Sequence, residues 1–355
     1  MRYRRRVAES DAPRVEVQPT PFTRRMILAL GLAAPTLAVP WLAGCSRSDP
    51  TVESPGDTQL SSPPSTPGAI ATPSANATAF ESSPYAREAA SEQALAALAV
   101  AMLGGPHRQQ LSNDRRVLIT FLRDAHTAHA QAVANPLPSQ APVKIGGQSL
   151  NSSLDLLARH ETAAAAGYRQ TSLGANGNDA LLWASISIAA KSFAAAISAD
   201  KPPTTSAITD RKPIEILSEV AAVQELVRQL HAMVYGYQLA IGKLKVLSKL
   251  RPRAEQELFD QRILRDRLIA WLRKRSAEIP VAEPAYVPSV IPRNPATAGR
   301  LIMRMQTALQ PFCGLWLAAS ASLTDRQQAL SALFSAVKAA HAWGAPLNAW
   351  PGWSS

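Results

Sequence analysis

The chain has 355 residues, 37 Lys and Arg against 26 Asp and Glu for a formal net charge of +11, and two cysteines, Cys45 and Cys313. That length is enough for two domains of ordinary size, and so few cysteines exclude a disulfide framework if either is committed elsewhere. The basic balance suits anionic headgroups or an anionic wall polymer; no aromatic-basic motif accompanies it, so nucleic acid is not an expected partner.

The N-terminal segment reads as an address. Arg24 and Arg25 precede an apolar run from Met26 to Leu42 that contains Pro35 and Pro40. The run falls short of the ~20 residues a spanning helix needs, and it fits a signal-peptide core. Thr23-Arg24-Arg25-Met26-Ile27-Leu28 resembles a twin-arginine export signal, with Ile27 where Phe is commoner and Ala29 where Lys is commoner; general export is the alternative. Leu42-Ala43-Gly44-Cys45 resembles the lipobox of bacterial lipoproteins. The resemblance implies that residues 1–44 are removed and that Cys45 takes the diacylglycerol. The rest would then be held on the extracytoplasmic face of the cell membrane, since two or more acyl chains anchor stably where one is marginal. Removal of the first 44 residues leaves 30 bases (37 − 7) and 23 acids (26 − 3), a charge near +7. Residues 45–84 are rich in Ser, Pro and Thr and poor in large apolar residues, so they read as a disordered tether that also permits O-glycosylation.

Residues 85–200 carry four helical patterns, expected at about 86–103, 112–135, 151–170 and 178–200. Each has apolar residues at spacings of three and four. The second aligns Leu118, Leu122, Ala125, His129 and Ala132; the third aligns Leu154, Leu157, Glu161, Ala164 and Tyr168; the fourth offers Leu182, Ile186, Ala189 and Phe193. Four such helices predict an antiparallel bundle. Glu161 and His129 stand where the pattern asks for apolar residues, and His126 lies one turn before His129. A carboxylate between helices must be paired, hydrogen-bonded or bound to metal. His126, His129 and Glu161 are therefore the candidate metal ligands, sufficient for one Zn²⁺ or Fe²⁺. A buried Glu–His or Glu–Tyr hydrogen bond that fixes helix register is the competing reading. A two-metal site needs about six ligands over four helices, and the fourth helix supplies none.

Residues 212–355 carry four more helices. The fifth repeats Val220, Val223, Val227, Leu230, Val234, Tyr237, Ile241 and Leu244. The sixth, about 253–276, has Leu258, Leu264, Leu268 and Leu272 inward, with Arg262 and Asp266 spaced for an i, i+4 pair. A Pro-rich crossing follows, then a seventh helix opened by Asn294-Pro295. The eighth is expected to start at Thr324 with Gln327 completing a capping box, and to end at Gly344. The Trp- and Pro-rich tail should fold back over the bundle. Lys243, Lys245, Lys249, Arg251 and Arg253 surround the turn between the fifth and sixth helices, either as an anionic contact or as solvated helix-end cations.

Leu230-His231-Ala232-Met233-Val234-Tyr235-Gly236-Tyr237 and Gln261-Arg262-Ile263-Leu264-Arg265-Asp266 resemble two helices of the ferritin-like domain of unknown function found in actinobacterial envelope proteins. Tyr286-Val287-Pro288 with Asn294-Pro295-Ala296 resembles its linker, and Trp343-Gly344-Ala345-Pro346 with Ala349-Trp350-Pro351-Gly352 its ending. The likeness covers about 214–353, and the first block looks like a diverged relative. It implies an all-α protein of two tandem ferritin-like four-helix bundles after the tether. The family's opening acid appears as Leu230 and the His of its second helix as Gln261, so a di-iron centre is not expected. In the first block the corresponding acid and His positions fall near Ala190 and Phe193.

These readings lead to a membrane-anchored lipoprotein with non-catalytic bundles, no cofactor and a binding or envelope-organising role. The alternatives are a metal-binding or redox protein that uses the partial site of the first bundle, with Fe or Zn, and a small-ligand carrier.

Overall fold

The computed structural model describes residues 85–133, 149–211 and 214–353. Arg24, Arg25, Leu42, Ala43, Gly44, Cys45 and the 45–84 tether lie outside the described residues. The described chain is all-helical: α1 (Ala86–Gly104), α2 (Asn113–Val133), α3 (Leu150–Gly174), α4 (Gly177–Ile197), α5 (Glu219–Ile241), α6 (Leu250–Lys274), α7 (Pro295–Ala319) and α8 (Leu323–Ala342).

Side-chain caps open several of these helices. Ser149 and Ser218 accept the backbone N–H groups of Ser152 and Ala221, which opens α3 and α5. Asn294 and Thr297 form a reciprocal capping box, with Pro295 at the first helical position of α7. At α8 the cap differs from expectation. Ser322, not Thr324, is the N-cap, and its hydroxyl accepts from Asp325 N–H at 3.0 Å while donating to the Asp325 carboxylate at 2.9 Å. The signal was displaced because Ser322 and Thr324 are both good caps, and only the helix register selects between them. Likewise Asp266 takes its neighbour Arg265, at 2.7 Å, rather than Arg262.

In the first half α1 pairs with α2 and α3 with α4, and α1–α3 and α2–α4 contacts close a four-helix bundle. In the second half α5 packs against α6 and α7, and α7 against α8. The two halves join chiefly through α4 and α7, and all eight helices belong to one compact unit. α4 lies at the centre. It is long and apolar enough to cross a membrane, yet 78% of that apolar window is buried within the protein, which makes it a core helix.

Two features lock the halves together. Arg326 of α8 is buried, and its guanidinium donates to the Leu173 carbonyl at 2.6 Å and to Asn176 Oδ1 at 2.7 Å. A cation thus caps the C-terminal end of α3, where the free carbonyls and helix dipole favour it. The second feature is the tail. Gly344, at φ +93°, ends α8 in the left-handed region that glycine adopts without strain. Leu347 then exchanges backbone bonds with Thr204 and Ser206 at 2.8 Å. Beyond it Ala349, Trp350 and Trp353 are buried, and Gly352 lies so close to α7 that a Cβ on Gly314 would sit 2.2 Å from its carbonyl oxygen.

Candidate metal centre

Four ionisable side chains meet inside the first half: Glu92 from α1, His126 and His129 from α2, and Glu161 from α3. All are 0% exposed. His126 and His129 are three apart on a helix, so both rings project from one face of α2. Glu161 continues the buried row Leu154, Leu157 and Tyr168 on α3. Glu92 lies on the buried row Ala89, Leu95, Ala99 and Met102 of α1.

Glu92 Oε2 lies 2.8 Å from His126 Nδ1 and 2.9 Å from His129 Nδ1. On the far side of each ring another acceptor waits. His126 Nε2 is 2.7 Å from Glu161 Oε1, and His129 Nε2 is 2.9 Å from the Ala349 carbonyl oxygen. The rings are walled by Phe193 of α4, which stacks on His129 and meets His126 edge-on, and by Trp350, 4.6 Å from the His129 ring centre. The tail of the second half therefore closes the site of the first.

The hydrogen bookkeeping is restrictive. A carbonyl has no proton to give, so His129 Nε2 is the donor toward Ala349, and a neutral His129 then turns a lone pair at Nδ1 toward Glu92. His126 does the same if it donates to Glu161. Two lone pairs and a carboxylate oxygen within hydrogen-bond distance repel one another unless positive charge stands among them, either as protons on the rings or as a metal cation. The electrostatics follow this geometry. Burial disfavours the charged form of His126, but Glu161 and then Glu92 outweigh it and raise its pKa to about 10. Burial also works against ionised Glu92; His126 and His129 overcome it and hold the carboxyl well below the usual range. For Glu161 burial wins, and the pKa is raised despite His126.

Glu92, His126 and His129 form a Glu/His/His triad able to hold a metal, each offering a ligand atom within 4.8 Å of the others. Two imidazole nitrogens and a carboxylate oxygen suit a first-row divalent cation about 2.1 Å from each donor. In the usual metal-site arrangement each ligating histidine donates its other N–H to a carboxylate or a carbonyl. Glu161 and Ala349 occupy those positions here. Glu92 Oε1 and Glu161 Oε2 are buried with no hydrogen-bond partner among the described residues, a further sign that the donors are not fully used by protein contacts. A cleft of about 580 Å³ between α1 and α3 reaches Tyr168, whose hydroxyl is pushed far up in pKa by burial and then by Glu92.

Of the three sequence candidates, His126 and His129 lie in this triad, and Glu161 meets His126 from the opposite ring nitrogen. Glu92 was missed. Its signal was the same as for Glu161, an acid on an apolar row, but the Ala-rich helix α1 shows that row faintly. Ala349 and Trp350 left no such signal, since they approach from 220 residues away in sequence. His160 is exposed. In the second half Tyr237 donates to Glu257 at 2.8 Å and accepts from Gln306 at 2.6 Å, while Trp343 donates to Glu257 at 2.7 Å. This polar core contains no histidine, and Leu230 and Gln261 are both buried.

Residues 222–355 match a family described as a domain of unknown function (DUF4439). No curated protein and no solved structure matches the chain. The family match spans the second half and leaves the residues of the triad outside it.

Proposed function

We propose that the protein is a lipid-anchored envelope protein whose first helical bundle binds one divalent cation, Fe²⁺ or Zn²⁺, through Glu92, His126 and His129. The observation that carries this reading is the paired donor geometry: both Nδ1 atoms face one carboxylate oxygen, while both Nε2 atoms are already engaged by acceptors. A divalent cation among neutral rings balances the charge of Glu92 and Glu161, which lowers the cost of burying them. The second half acts as the scaffold that delivers Ala349 and Trp350. The site is closed, so we assign it binding rather than a reaction, and the partner at the envelope is an anionic surface reached through the anchor at Cys45.

The test is metal loading of the untagged protein refolded with Fe²⁺, Zn²⁺ or Mn²⁺. One equivalent per chain and a rise in melting temperature are expected, both abolished in His129→Ala. Fewer than about 0.2 equivalents with no melting shift would leave the tetrad as a buried hydrogen-bond cluster that fixes helix register. The anchor is tested separately: after a high-salt wash that strips electrostatic contacts, Cys45→Ala should be lost from the membrane fraction while the unaltered protein stays, and equal retention of the two would count against lipidation.

A further inference from the structure

The turn joining α5 to α6 presents an unusual surface. Val246 and Leu247 are 73% and 99% exposed, and Leu250 at the start of α6 is 39% exposed. Lys243, Lys245 and Lys249 alternate with them and are exposed. No Asp or Glu occurs anywhere from residue 226 to residue 254. The other three cations of this stretch are engaged: Arg228 pairs with Glu225, Arg251 pairs with Glu255 at 2.9 Å, and Arg253 donates to the Ala342 carbonyl and lies over the Trp343 ring. Three lysines with no acidic partner among the described residues therefore surround three outward apolar side chains.

The turn is also built to hold its shape. Leu244 is buried beneath it, Leu244 N–H bonds to Ile241 O at 3.1 Å, and Ser248 N–H bonds to Lys245 O at 3.0 Å. Val246 and Leu247 are thus fixed at the apex, and little ordering remains to be lost on binding.

We infer that this turn is a membrane-contact element that inserts Val246 and Leu247 into the interfacial region of an anionic bilayer while Lys243, Lys245 and Lys249 reach the phosphates. Apolar tips ringed by ammonium groups match the two layers of such an interface, acyl boundary below and anionic headgroups above. A soluble polyanion would engage the lysines and leave the apolar apex in water. The inference rests neither on the metal site nor on lipidation at Cys45.

The experiment reads the turn itself. In the full chain carrying Cys45→Ser, Leu247→Cys is labelled with an environment-sensitive fluorophore. Cys313 is fully buried and its thiol is pushed up to about 12, so it stays unlabelled. Vesicles containing phosphatidylglycerol should blue-shift the probe, and pure phosphatidylcholine vesicles should not. The same label at Val117→Cys, an exposed position on α2, should show no shift. Changing Lys243, Lys245 and Lys249 to Ala should raise the lipid concentration for half effect roughly a hundredfold, about fivefold per lysine. The inference is overturned by no shift at residue 247, by an equal shift with phosphatidylcholine, by an unchanged response in the triple variant, or by the same shift with free polyphosphate.

Discussion

At the scale of single residues, the four buried ionisable groups are not equivalent. Glu92 faces both histidines, whereas Glu161 supports only His126 from behind. Glu161→Gln should therefore weaken metal affinity about 10–100-fold, the usual cost of losing an outer hydrogen bond to a ligating histidine, while Glu92→Gln should abolish stoichiometric binding; titration calorimetry separates the two. The metal-free protein should show a matching pH response. His126 has a folded pKa raised to about 10 from 6.5, so its stabilisation is complete below the unfolded value and is lost as pH rises through the folded one. Glu92 is depressed, so its stabilisation is present above the usual carboxylate range and is lost as pH falls. Thermal melts of the chelated protein should then fall between about pH 6.5 and pH 10, and that slope should be shallower in His126→Gln. Equal slopes would mean that the two carboxylates do not hold the imidazolium.

At the scale of the element, helix ends were less legible than helix bodies. The three-four periodicity of α5 places Val223, Val227, Leu230 and Tyr237 in the core, where all are fully buried. Periodicity is a sum over many residues and survives an odd position, whereas a cap is one hydrogen bond. Two neighbouring cap residues compete at α8, and the winner is Ser322. Ser322→Ala should cost about 1 kcal/mol by chemical denaturation, and Thr324→Ala should change stability little. A larger loss at Thr324 would contradict the observed cap. The same distinction explains Glu92: α1 is rich in alanine, so its buried face carries little contrast against which an acid would stand out.

At the scale of the whole molecule, the two halves are one packed object. α4 is apolar on nearly every face because the second half covers what the first leaves open. Arg326 and the C-terminal tail then fasten the halves at separate points. The tail is the more exacting contact, since it runs against α7 at Gly314 with no room for a methyl group. Gly314→Ala should destabilise the protein by about 1–3 kcal/mol. It should also lower metal affinity, because the displaced tail carries Ala349 away from His129. Loss of stability with metal affinity intact would show that the tail packs the halves but does not orient the ligand.

The sequence by itself determined the helical class, the approximate position of every helix, and the presence of polar residues on apolar rows, because each of these follows from local spacing and burial cost. It placed His129 and Glu161 on apolar rows for that reason, with His126 one turn before His129. Only the tertiary structure decided that Glu92 stands between the two rings, that a backbone carbonyl from the far end of the chain orients His129, and that the α5–α6 turn leaves Leu247 bare. Those are contacts between elements, or the lack of them, and a spacing rule confined to one helix carries no information about what faces it.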